Sequence, residues 1–166
     1  LRFAALLMGL GFTEESARYY QELDVTGALT VDHTLNYAEV LSEQGKHRDA
    51  MGHVESVLGR EPLNLRANVL RGALHTAMGE FGKADDDLRK ALRVNSESPL
   101  AYYRLGLNEL AQERVPAATE YLSKAVTLAP DDTKIRFALA KALTAIGGVE
   151  NRRLALSQYS FIVKDY

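Results

Sequence analysis

Hydrophobic positions fall at helical spacing through most of the chain. In "PLAYYRLGLNELAQ", Leu100, Tyr103, Leu107 and Leu110 stand 3, 4 and 3 residues apart and mark one apolar helix face. In "AATEYLSKAVTLAP", Ala118, Leu122, Ala125 and Leu128 repeat the pattern. No stretch sustains the alternation of a half-buried strand, and no Asn-Gly or Asp-Gly pair signals a hairpin. The pattern predicts an all-α chain.

The pattern also repeats. An offset of 34 residues aligns four series at once. Small residues recur at Ala4, Ala38, Gly72, Gly106 and Ala140. Glycines recur at Gly11, Gly45, Gly79 and Gly147, with Glu113 in the missing place. A second small series runs Ser16, Ala50, Ala84 and Ala118, and a bulky series runs Tyr20, Val54, Leu88 and Leu122. The last two resume after 37 residues, at Ala155 and Tyr159, which places three extra residues in the turn "GGVENRR". Each unit is predicted to be two helices joined at the glycine. The small residues let the helices of a pair approach while bulky neighbours fill the flanks. The glycine suits the left-handed residue after a helix C-terminus, so the turn at Glu113 is expected to differ or to be strained. Pro116 fits just inside a helix start, and Pro62, Pro99 and Pro130 are expected between units.

The spacing divides the chain into a partial unit at 1–30, full units at 31–64, 65–98 and 99–132, and a fourth at 133–166 with the insertion. This arrangement resembles the tetratricopeptide repeat family. The third unit carries Leu105, Gly106, Ala118, Leu122, Ala125 and Pro130 in the family's signature slots. The second carries Gly72, Gly79, Phe81, Ala84, Leu88 and Ala91, with Ser96 in the proline's place. Asn68, Tyr102 and Arg136 stand where the family often has tryptophan.

The resemblance implies a right-handed superhelix whose first helices line a concave groove. It also implies a non-enzymatic module that binds a peptide or helix of a partner protein. The groove residues it points to are Arg66, Val69, Leu70, Ala73, Tyr103, Arg104, Leu107, Lys134, Phe137 and Lys141. The C-terminal half is then apolar with a basic edge (Arg66, Arg104, Lys134, Lys141). The N-terminal half, with Asp32, Glu39 and Glu43, is acidic. Such a groove suits an amphipathic helix or extended segment of some acidic character. The alternative is that Tyr103 and Phe137 pack on neighbouring helices. Relatives that grip a chaperone's C-terminal carboxylate need cations and asparagines where this chain has Leu35, Glu39, Leu70, Leu100 and Arg104 from the first unit, or Val69, Ala73, Arg104, Lys134 and Ala138 from the second. Neither set can clamp a carboxylate and Glu39 would repel it, so that function is rejected. Other readings are a self-associating scaffold, joined through Tyr159, Ile162 and Val163 at the C-terminal end, or the regulatory portion of a larger protein.

Candidate chemistry changes little. The line "ALHTAMGEFGKADDDLRKAL" gathers His75, Glu80 and three aspartates. His75 shares its slot with Leu7, Leu41, Glu109 and Leu143, which makes it a packing position. Asp85, Asp86 and Asp87 fan out at about 100° per residue and cannot converge on a metal. They are expected in a solvated first turn, paired as Asp85–Arg89 and Asp86–Lys90. His33, His47 and His53 show no metal-ligand spacing, and no phosphate loop or nucleophile motif occurs. No enzyme activity, cofactor or metal is expected.

The net charge of −2 and the lack of any basic run give no attraction for nucleic acid. The opening "LRFAALLMGLGF" is shorter than the ~20 residues a bilayer-spanning helix needs, and it lacks a signal peptide's basic start, so no membrane insertion is expected. The start at Leu1 fits a processed or partial chain. Without cysteine the redox compartment is unreadable, so cytoplasm and periplasm both stay open. The lack of cysteine and the Ala/Leu/Gly/Arg-rich style suggest a bacterial source.

Overall fold

A computed structural model describes residues 6–7, 10, 12–25 and 29–164. Ala4 and Gly11, which open two of the repeat series, lie outside the described residues. Among those residues the chain forms nine helices and no strand. They are α1 (Thr13–Val25), α2 (Val31–Glu43), α3 (His47–Arg60), α4 (Leu65–Ala77), α5 (Phe81–Val94), α6 (Pro99–Ala111), α7 (Val115–Leu128), α8 (Thr133–Ile146) and α9 (Val149–Lys164). None is long and apolar enough to cross a membrane. Helices α2, α4, α6 and α8 are the first helices of their pairs, and α1, α3, α5, α7 and α9 the second.

Side-chain caps set the first-helix starts. Thr30, Asn64, Ser98 and Asp132 stand 34 residues apart, and each accepts hydrogen bonds from backbone N–H groups of the first turn that follows. Pro99 opens α6 itself, directly after its cap, so it is a helix-starting residue and not a spacer. Pro116 lies at the second position of α7.

Helices α2, α4 and α6 end alike. The Gly79 N–H donates to the Thr76 carbonyl and the Glu80 N–H to the His75 carbonyl, with Gly79 at φ +77°. This crossed pair of bonds is a Schellman end. Glu113 makes the same turn: its N–H donates to the Leu110 carbonyl, the Arg114 N–H donates to the Glu109 carbonyl, and its φ is +60°. The turn does not differ. A side chain has been forced into the left-handed conformation that glycine adopts at no cost.

The fourth pair departs from the predicted layout. Its turn is only Gly147 and Gly148, and α9 begins at Val149 with 16 residues against 14 in α3, α5 and α7. Val149, Glu150 and Asn151 therefore enter the helix. Ala155 is buried and Tyr159 packs on the same cluster as Leu122, so the added turn preserves the apolar register.

Small residues fit the pairs together. Gly72, Gly106, Ala84, Ala118 and Ala125 are all buried, and Leu88 and Leu122 are fully covered. The core runs as three adjoining clusters, around Tyr20 to Leu74, around Val69 to Leu105, and around Leu122 to Ala155. First helices also pack on one another in the order α2–α4, α4–α6 and α6–α8, whereas no described second helix packs comparably on another second helix. The second helices therefore splay outward and the first helices form the inner wall. The architecture is a right-handed superhelix of antiparallel helix pairs.

Candidate functional site

The inner wall is built from one face of each first helix. At its fifth place stand Leu35, Val69, Tyr103 and Phe137. Their exposure rises along the chain: Leu35 and Val69 are buried, Tyr103 is half-buried, and Phe137 is 51% exposed. The cause is coverage. Each first helix is overlapped by the next, and no further first helix follows α8 among the described residues.

Val69 and Leu70 therefore offer a ligand little. Val69 packs with Leu88, Ala91, Ala101 and Leu105, and Leu70 belongs to the N-terminal cluster. Ala73 is half-buried. Leu107 and Tyr103 are half-buried against the C-terminal cluster. The surface that stays accessible is Leu100 and Phe137 with the edge of Tyr103, flanked by exposed Lys134 and Lys141 and half-buried Arg104. Phe137 meets Tyr159 edge-on at 6.0 Å, and Lys141 Nζ lies 5.9 Å from the Phe137 ring centre. Phe137 thus packs on a neighbouring helix with one edge and meets solvent with the other.

The basic edge is smaller than the sequence suggests. Arg66 does not face an incoming ligand as a free cation. Its Nε donates to Glu39 Oε1 at 3.3 Å, its Nη2 donates to Glu39 Oε2 at 2.9 Å and to Asn36 Oδ1, and its Nη1 lies 4.0 Å from Asp32. Of the acids in the N-terminal half, Glu39 is paired in this way, with Asp32 at the edge of the same guanidinium's reach. Arg104, Lys134 and Lys141 have no ion-pair partner among the described residues. The Arg104 Nε is shut off from solvent without a hydrogen-bond acceptor among those residues.

The histidine–aspartate line forms a different structure, at the joint of α4 and α5. Arg71 grips Asp87 with two bonds, Nε to Oδ2 at 2.7 Å and Nη2 to Oδ1 at 2.6 Å. Lys90 donates to Asp87 Oδ1 at 3.0 Å, His75 Nδ1 lies 2.6 Å from Glu80 Oε2, and His75 Nε2 lies 3.6 Å from Asp87 Oδ2. The expected solvated turn is thus corrected. Helix α5 starts at Phe81, so the aspartates sit in its second turn, and Asp87 is buried. Asp85–Arg89 forms at 2.6 Å, but Lys90 pairs with Asp87 instead of Asp86. Burial pushes the Asp87 carboxyl up, and hydrogen bonds from Arg71 and Lys90 outweigh it and hold the group below its ordinary value. Bonds from Lys83 and then His75 hold Glu80 low as well. Apart from the exposed Asp86, the acidic groups of the joint are answered by cations or by His75, and the Arg71–Asp87 bonds tie the two helices together. His75 is a mostly buried member of this polar network, packed and hydrogen-bonded. No metal-binding group of three or more His, Cys, Asp or Glu occurs among the described residues.

Sequence reasoning missed the cap series Thr30, Asn64, Ser98 and Asp132, although its 34-residue spacing is legible. It also missed the Arg66–Glu39 and Arg71–Asp87 bonds. These join residues 27 and 16 apart on different helices, and no local spacing marks them.

The tetratricopeptide repeat model matches residues 74–133. That match falls on α4 to α8, whose period, turns and packing are those described above. The nine described helices fit a tetratricopeptide repeat array. It is similar to the BBSome complex member BBS4 of Mus musculus, 29% identical over 127 residues, covering 75% of this chain and 24% of that protein. It is also similar to anaphase-promoting complex subunit 3 of Schizosaccharomyces pombe, 28% identical over 115 residues, covering 69% of this chain and 16% of that protein. The array thus spans a quarter or less of these relatives. A solved thermophilic TPR protein of Thermus thermophilus has the same fold, with a TM-score of 0.88 at 20% identity, covering 99% of this chain and 88% of that one.

Proposed function

We propose that the array is a non-enzymatic interaction module whose concave face binds a peptide or helix of a partner protein. The observation that carries this reading is the exposure of Phe137 and Leu100, 51% and 44%, on the inner wall beside Arg104, Lys134 and Lys141, which have no ion-pair partner among the described residues. Exposed aromatic and leucine side chains next to fixed charge are what an amphipathic segment needs to bury its apolar face and keep its register. The two relatives are named as members of multiprotein complexes, which supports a role in binding protein.

The test is a paired substitution. Tyr103→Ala with Phe137→Ala is expected to abolish retention of the partner, while Lys124→Ala, on the exposed side of α7, leaves it unchanged. Melting curves of each variant establish that the array still folds.

A second reading, a self-associating scaffold, draws on Leu156 and Val163 of α9, which are 64% and 71% exposed. It replaces the first if Ile162→Asp dissolves oligomers in light scattering while the groove pair changes nothing.

A further inference from the structure

On the outer side of the array, α1 and α3 leave a cleft above α2. It holds a cavity of about 600 Å³, bordered by Asp24 of α1, Tyr37 of α2 and Asp49, Gly52, His53 and Ser56 of α3. We propose that this cavity receives a lysine side chain of a partner protein, held by the Asp24 and Asp49 carboxylates and the Tyr37 hydroxyl. The site lies on the convex face and does not depend on the concave-groove reading.

Tyr37 is the residue that points to a ligand. It is only 7% exposed, yet it borders this cavity and the adjoining one between α1 and α2. Its ring lies against Tyr20, stacked at 5.8 Å, and against His53, tilted at 4.8 Å. Those contacts occupy the ring and leave the hydroxyl edge to the cavities. The hydroxyl has no hydrogen-bond partner among the described residues. A buried hydroxyl without a partner carries a desolvation cost, which an incoming donor removes. Burial first, and then the charges of Asp24 and Asp49, push its pKa up, so both carboxylates lie within electrostatic reach of it.

Charge selects the donor. Neither Asp24 nor Asp49 has an ion-pair partner among the described residues, and Lys46, which also borders the cavity, pairs with neither. The adjoining cavity, also about 600 Å³, adds Glu14 and Glu43 against Arg18. The cleft thus holds four carboxylates to two cations. A cleft with one sign of charge in excess concentrates the opposite sign. An ammonium has three donors and no acceptor, which matches two carboxylates and a hydroxyl. A guanidinium matches less well, because the ring it would stack on is already covered.

Gly52 keeps the cavity open. The corresponding places in the next two units hold Asp86 and Glu120. A Cβ on Gly52 would meet nothing within 4 Å, so no close approach of helices requires glycine there. Glycine in a helix interior is destabilising, and the room it leaves belongs to the cavity.

The test titrates the whole chain with n-butylammonium, which is the lysine side chain cut at the α-carbon, and with n-butanol, its uncharged counterpart. Backbone amide shifts in NMR spectra read the binding. A second arm uses a capped peptide with one central lysine and the same peptide with acetyl-lysine. Butylammonium and the lysine peptide are expected to give saturating shifts at Tyr37, Gly52 and His53, while butanol and the acetyl-lysine peptide give none. Asp24→Asn with Asp49→Asn should weaken binding at least about tenfold. Tyr37→Phe, which removes only the hydroxyl, should weaken it several-fold, and Gly52→Gln should block it by filling the cavity. Tyr103→Ala, on the opposite face, should leave it unchanged. Circular dichroism confirms that each variant stays folded.

Equal shifts from butylammonium and butanol would overturn the proposal, because the cavity would then be selecting for the apolar stem. Shifts that survive the double aspartate variant, or that scatter over other acidic residues, would reduce it to unspecific charge attraction. Binding of butylammonium without binding of the lysine peptide would leave a site for small amines and sink the protein partner.

Discussion

Gly106 and Leu122 share one volume. A Cβ placed on Gly106 would stand 2.6 Å from Leu122 Cγ and 2.8 Å from its Cδ2, and Gly72 stands in the same relation to Leu88. In the first full unit the matching places hold Ala38 and Val54, both fully buried, so one residue has gained a methyl group while its partner is the smaller valine. Gly106→Ala is therefore expected to destabilise the array by about 1–3 kcal/mol, despite alanine's better helix propensity. Adding Leu122→Val should recover much of that loss, although Leu122→Val alone costs about 1 kcal/mol. A double-mutant cycle in urea measures the coupling. Strict additivity would show that the two side chains do not compete for space.

Glu113 holds a left-handed turn that glycine holds in the earlier units, at φ +60°. Glu113→Gly removes that strain and raises chain entropy in the unfolded state, so the net gain should be about 1 kcal/mol. Thermal denaturation checks it. A lower melting temperature would mean that the Glu113 side chain contributes an interaction worth more than the strain.

Asp87 makes the joint between α4 and α5 acid-sensitive. Its folded carboxyl lies below the ordinary value, because the bonds from Arg71 and Lys90 outweigh the opposing effect of burial. The unfolded chain therefore takes up a proton first as pH falls. The stabilisation is present at neutral pH and is lost as pH drops below about 4. Asp87→Asn should cost about 1–3 kcal/mol at pH 7 and flatten the acid limb of the stability curve. Hydrogen exchange of α4 and α5 amides against pH reports both effects locally. An unchanged acid limb in the variant would remove Asp87 as the cause.

Arg66 and Glu39 link α2 to α4 across the inner wall, with both side chains about one-third exposed. Glu39→Gln should weaken the array by about 0.5–1 kcal/mol at low salt and by less at high salt, as for a partly screened pair. The comparison is made by urea titration at two ionic strengths. An effect that does not change with salt would assign the loss to hydrogen bonding alone.

Much of this was readable before any coordinates. The 34-residue spacing of Gly72 and Gly106, of Leu88 and Leu122, and of the turn glycines encodes helix pairs directly, because helix length, turn conformation and close approach are local or nearest-neighbour requirements. The sequence also places Tyr103, Arg104, Phe137 and Lys141 on first helices. Which of them reach solvent was decided by tertiary structure. Val69 and Phe137 occupy one repeat position, yet α6 and the α5 face cover Val69, while no described first helix lies beyond α8 to cover Phe137. Charge followed the same division. Arg66 and Arg104 read alike as basic edge residues, but only folding brings Glu39 to Arg66 and leaves Arg104 without an acid among the described residues. Periodicity is carried by short-range spacing, which the chain states openly. Exposure and pairing depend on what neighbouring helices bring from elsewhere, and that sum exists only once the helix pairs have stacked.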